Sequence, residues 1–79
     1  MFINKTDNGR NNLCGEKISQ LRKKMEISQR ALADRLQIAG LDIDKNAIQR
    51  IEAGKRFVTD IELKTLSNVL EVDVNYLLS

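Results

Sequence analysis

Apolar residues in this chain recur three and four apart, and no segment alternates apolar with polar for long. That spacing gathers side chains on one stripe of a helix, whereas a half-buried strand needs a period of two. Ile18, Leu21 and Met25 stand at i, i+3 and i+7 among Lys17, Arg22, Lys23 and Lys24, which predicts a first helix over about 15–25. Ser28 is a good N-cap for a second helix carrying Leu32 and Leu36 four apart. Between them, the small Ala33 leaves room for another helix to approach.

Gly40 breaks this stripe, and LDI (41–43) leads to Asp44, an N-cap for a third helix ending near Ala53. Gly54 then stands where a left-handed C-terminal cap belongs. Thr59 and Glu62 make a T-x-x-E capping box, with Val58 and Leu63 as its hydrophobic staple, before the stripe Leu63, Leu66, Val69 and Leu70. Asp73 caps a last short helix, VNYLL. The chain has no proline, and five helices in succession predict a compact all-α domain.

Its 79 residues make a single domain, one that buries only about 60% of its unfolded surface. The polar, Asn-rich residues 1–12 read as a flexible N-terminal arm, which leaves 13–79 as the domain. Aromatics are limited to Phe2, Phe57 and Tyr76, too few to stack single-stranded bases. Histidine is absent and Cys14 is the only cysteine, so an internal disulfide is excluded and the usual zinc spacings cannot be built. Activating Cys14 as a nucleophile would need a neighbouring lysine or a helix N-terminus; a packed or exposed thiol is the simpler reading. The expectation is no catalytic site, no metal and no cofactor. A lone thiol suits a reducing cytoplasm, and no apolar run approaches the ~20 residues of a membrane span.

Net charge is only +2, yet it is unevenly placed. Residues 17–56 hold ten Lys/Arg against five Asp/Glu, a net of +5, while 57–79 hold one lysine against four acids, a net of −3. A basic half is the footprint of a surface that meets phosphate.

The third helix lies in the basic half. At about 100° per residue, Ala47, Ile48 and Ile51 fall on one side. Lys45, Gln49, Ala53, Asn46 and Arg50 follow one another along the opposite arc. Arg or Lys can donate to guanine O6 and N7, and Asn or Gln can bond N6 and N7 of adenine. Every amphipathic helix has a polar face, so this helix alone leaves a merely solvated surface open. Its neighbour adds weight. Gln29 directly follows the Ser28 cap, at a helix start whose backbone N–H groups favour phosphate. Two short helices, the second with an outward donor face, form the arrangement that enters a DNA major groove.

Three stretches carry a family resemblance: GEKISQLRKKMEISQRALADRL, NAIQRIEAGKR and ELKTLSNVLEVDVNYLL. Together they resemble the Cro/phage-repressor (xenobiotic-response-element type) helix-turn-helix family over about residues 14–79. The resemblance implies a five-helix, lambda-repressor-like domain with the helix-turn-helix at helices 2 and 3. It implies that Lys45, Asn46 and Arg50, with Gln49 beside them, contact bases, and that Gln29, Lys55 and Arg56 approach phosphates. It also implies a structural ion pair between Arg22 and Glu52. Two features depart from the family pattern. AGLDI (39–43) lengthens the turn before helix 3, and Asp42 and Asp44 bring negative charge near the phosphate path. Asp44 reads first as an N-cap, and otherwise as an acceptor for cytosine N4.

The implied function is a sequence-specific, double-stranded DNA-binding transcriptional regulator of prokaryotic or phage type that acts by occupying an operator. So small a domain makes few contacts, so specificity calls for a homodimer on two half-sites. Either the last helices supply its interface, or DNA assists a weak dimer, or the chain is part of a longer protein. The alternative is a protein-binding module on the same fold, such as an antitoxin-like or anti-repressor partner, since fold does not fix function.

Overall fold

Each helix begins where a short polar side chain can accept a free backbone N–H, with one exception. The computed structural model, which describes residues 5–6 and 9–79, contains α1 (Gly15–Lys24), α2 (Gln29–Ile38), α3 (Lys45–Glu52), α4 (Asp60–Leu70) and α5 (Val74–Leu78). Ser28 Oγ accepts from Ala31 N at 3.0 Å, Asp44 Oδ1 from Ala47 N at 2.8 Å and Asp73 Oδ1 from Asn75 N at 2.8 Å. Thr59 and Glu62 complete a reciprocal capping box at α4. The exception is α1, whose N-cap is Cys14, a side chain that makes no capping bond. Asn12 supplies the acceptor instead: its Oδ1 takes the Gly15 N–H at 2.8 Å.

Among the described residues there is no strand, and the five helices enclose one core. Ile18 of α1, Leu32 and Leu36 of α2, Ile48 and Ile51 of α3, Leu66 of α4 and Leu77 of α5 are fully buried. All but Leu77 are residues the three-and-four spacing singles out, and burying each side chain contributes about 1.5–3 kcal/mol. α3 packs on α1 and α2, and α4 packs on α1, α2 and α5. The buried Cys14 thiol is pushed above its ordinary pKa by desolvation, which makes it a core side chain. Only Leu77 of the last helix enters the core, while Tyr76 and Leu78 stay exposed. Lys17 of α1 ties α5 down, donating to the Tyr76 carbonyl at 2.8 Å with its ammonium 5.1 Å from the Tyr76 ring centre. No helix among the described residues is long and apolar enough to cross a membrane.

The expected flexible arm falls partly outside the described residues, at 1–4 and 7–8. Its last three residues belong with the domain. Arg10, Asn11 and Asn12 all hydrogen bond to backbone carbonyls at and just beyond the end of α3.

Candidate nucleic-acid interface

The two faces of α3 are cleanly divided. Ala47, Ile48 and Ile51 are buried; Lys45, Asn46, Gln49, Arg50 and Ala53 are exposed. The structure thus brings the four expected base-reading side chains onto one surface of a two-turn helix. None of the four makes a side-chain hydrogen bond or ion pair among the described residues. Asp44 is engaged as the N-cap, so its carboxylate is anchored to the helix start.

Behind this surface, one carboxylate joins three helices. Glu52, the last residue of α3, meets Arg22 of α1 side-on, with Nε to Oε2 at 2.7 Å and Nη2 to Oε1 at 3.0 Å. Both side chains are largely enclosed, at 12% and 9% exposure. Arg22 Nη1 also donates to the Ile27 carbonyl at 3.0 Å, and Gln29 Nε2 donates to Glu52 Oε1 at 3.1 Å. Burial alone would raise the Glu52 carboxyl; the bonds from Arg22 and Gln29 outweigh it and hold the group below the usual carboxylate range. Gln29 therefore has a role beyond the one the resemblance implies. Its side-chain amide locks the start of α2 to the end of α3.

Lys55 and Arg56 part company in the structure. Lys55 is exposed, and its ammonium has no partner among the described residues. Arg56 forms a bidentate pair with Glu62 of the capping box, Nη1 to Oε1 at 3.0 Å and Nη2 to Oε2 at 2.9 Å. These bonds, against a smaller opposing effect of burial, hold the Glu62 carboxyl low. Six residues along the chain, Glu62 thus holds the guanidinium that the resemblance assigns to phosphate.

The lengthened turn is anchored as well. The chain reverses at Gly40, where Leu41 N bonds to Leu36 O at 2.9 Å. Gln37 Nε2 donates to the Ile43 carbonyl at 2.9 Å, and the Ile43 side chain is buried in the core at 3% exposure. An apolar residue inside a turn was the available sequence signal for this plug; nothing in the sequence marks the Gln37 tether. Asp42 remains exposed near the start of α3.

The C-terminus of α3 is held from a direction the sequence does not announce. Gly54 adopts φ +78°, the left-handed cap, and a Cβ there would lie 2.7 Å from the Arg10 guanidinium carbon. At Gly15 a Cβ would meet the Ile51 carbonyl at 2.1 Å, so α1 starts in direct backbone contact with the end of α3. These close approaches permit Arg10 and Asn12 to reach the α3 carbonyls.

A helix-turn-helix family model matches residues 18–77 of the chain. Among solved structures, the chain is similar to the P22 c2 repressor, determined in complex with a synthetic operator in the presence of Tl+. That likeness has a TM-score of 0.73 and 31% identity, and covers 85% of this chain and 94% of the other. It also shares its fold with the restriction-modification controller protein C.AhdI from Aeromonas hydrophila, with a TM-score of 0.70 and 24% identity over 80% of this chain and 88% of that one. No curated protein matches it in sequence.

Proposed function

The chain belongs to the Cro/phage-repressor-type helix-turn-helix family of DNA-binding transcriptional regulators, and from that premise we propose that α3 reads an operator from the major groove. One observation carries the reading: Lys45, Asn46, Gln49 and Arg50 form an exposed, unpartnered donor face on a helix whose opposite side is locked into the core. Arg50 and Lys45 are suited to guanine edges, Asn46 and Gln49 to adenine. Gln29, at the start of α2, and Lys55, just past α3, take phosphates on either side and fix the register. The proposal leaves Arg56 out of this set, because its guanidinium supports the loop through Glu62. The 31% identical P22 c2 repressor, solved on operator DNA, supports this assignment.

Regulation follows from occupancy, in the cytoplasm, without a cofactor. Two copies on half-sites about 34 Å apart would supply the specificity that one short helix lacks. Exposed apolar side chains that a second copy could cover are Phe57 and Ile61, around the start of α4, and Tyr76 and Leu78 on α5. Selection of bound duplexes from a random library, followed by affinity measurements across salt, tests the reading. A two-fold-symmetric consensus, with affinity falling steeply as salt rises, is expected. Equal affinity for selected and random duplexes, or binding indifferent to salt, would overturn it.

A further inference from the structure

α3 has only eight residues, and a helix so short is marginal by itself. Its final carbonyls need partners, because the last four C=O groups of any helix lack intrahelical donors. Ala53 N and Lys55 N satisfy Gln49 O and Arg50 O at 3.0 and 2.9 Å. The Ile51 carbonyl accepts Gly54 N at 3.0 Å and takes a second donor from a segment some forty residues earlier, which also supplies the donor to the Glu52 carbonyl. Asn12 Nδ2 donates to Ile51 O at 3.1 Å and to Arg56 O at 2.8 Å, and Arg10 Nη2 donates to Glu52 O at 2.7 Å. Asn11 adds two more bonds, its N to Gly54 O at 2.7 Å and its Nδ2 to Lys55 O at 3.0 Å.

Asn12 is the centre of this arrangement. It is 9% exposed, both hydrogens of its amide are used on the α3 side, and its oxygen accepts the first N–H of α1. A single side chain therefore fixes the end of α3, the loop after it and the start of α1 relative to one another. Arg10 also places a cation at the negative end of the α3 dipole, within 3.5 Å of the Glu16 carboxylate. Glu52 and Arg22 secure the same end of α3 from the α1–α2 side.

We propose that Arg10–Asn12 form a clasp that positions α3 for base reading, with Asn12 as its principal positioning residue. The inference rests on the DNA-reading function proposed above. Gln49, Arg50 and Ala53 lie in the turn that the clasp holds, so its loss lets the base-reading side chains wander. Functional groups need to be held within about 0.5 Å for full effect. Phosphate contacts from Gln29 and Lys55 tolerate more play, because they carry register and not base identity.

Asn12→Asp isolates the effect. The carboxylate keeps the acceptor for Gly15 N–H and so keeps the α1 cap, but it turns an oxygen toward the Ile51 and Arg56 carbonyls where a donor stood. Arg10→Met is the second variant; it removes the bond to Glu52 O at the domain edge and spares Asn12. The measurements are amide hydrogen exchange and affinities for a selected duplex and a random duplex, all in conditions where each variant is fully folded. The expected result for Asn12→Asp is faster exchange at Ala53, Gly54 and Lys55, with Leu66 in α4 unchanged. Selected-site affinity should drop roughly tenfold and random-duplex affinity less than about twofold; Arg10→Met should follow with smaller changes. Unchanged exchange at the end of α3 would overturn the clasp. Faster exchange with an unchanged selected-to-random ratio would overturn its positioning role. A wild-type protein with no preference for any duplex would instead overturn the DNA reading and the positioning role with it, while exchange still decides whether the clasp exists.

Discussion

Gln29, the first residue of α2, donates its side-chain amide to Oε1 of Glu52, the last residue of α3, across 3.1 Å. The same carboxylate takes two bonds from Arg22 of α1, so the relative placement of all three helices passes through Glu52. Glu52→Ala should therefore cost about 3–5 kcal/mol, because it strands a largely enclosed guanidinium. For a domain of this size that is a large share of total stability. Urea unfolding of the variant should show the midpoint falling with little change in slope. A loss below about 1 kcal/mol would mean that solvent reaches Arg22 and replaces the pair.

The acid limb of stability should carry the signature of two carboxylates. Glu52 and Glu62 both have folded pKa values below their ordinary value of 4.5, Glu52 through Arg22 and Gln29 against burial and Glu62 chiefly through Arg56. A group depressed in the folded state binds its proton more readily when unfolded. Its contribution is complete above the unfolded value and disappears as pH falls through the folded one. Thermal midpoints should thus be flat above about pH 5 and decline steadily below about pH 4.5. Glu62→Gln should flatten part of that decline, and an unaltered acid limb in this variant would show that the Arg56 pair contributes nothing.

The pattern of what the sequence revealed follows from the range of each interaction. Caps at Ser28, Asp44, Thr59 and Asp73 were legible because a cap and its helix lie within three residues of each other. The outward face of α3 was legible because helical periodicity alone separates Ile48 and Ile51 from Lys45, Asn46, Gln49 and Arg50. Asn12 carries no such signal: its bonds go to backbone carbonyls of Ile51 and Arg56, which every residue type possesses, so no pairing of side chains marks them. The pairing of Arg56 with Glu62 is silent in the sequence for a related reason. A basic residue after a recognition helix suggests phosphate, and only the geometry of the loop turns it back onto Glu62.

Glu71 offers a route to higher stability. It ends α4 in the left-handed region at φ 57°, exposed and with no side-chain bond among the described residues. A residue with a Cβ is strained there, whereas glycine is not. Glu71→Gly should stabilise the domain by about 0.5–1 kcal/mol after the added flexibility of the unfolded chain is discounted. Chemical denaturation should register a higher midpoint. No gain, or a loss, would indicate that the Glu71 side chain makes a stabilising contact in solution.

Lys55 and Arg56 are adjacent and alike in charge, yet their removal should produce opposite phenotypes. Lys55 projects freely from the loop after α3, so Lys55→Ala should leave the melting temperature within about 2 °C of the original, as surface changes do. Its effect should fall on DNA, weakening selected and random duplexes alike and lowering the salt slope by about 0.9 for one lost phosphate contact. Arg56 is held by two charge-assisted bonds to Glu62, and Asn12 bonds to its carbonyl. Arg56→Ala should cost about 1–2 kcal/mol, between the values for an exposed pair and a well-enclosed one. Once folded, that variant should keep the original salt slope. Paired melting and salt-titration measurements on the two variants separate the assignments. Should Arg56→Ala lower the salt slope as much as Lys55→Ala, the Arg56 guanidinium must leave Glu62 for phosphate when DNA arrives.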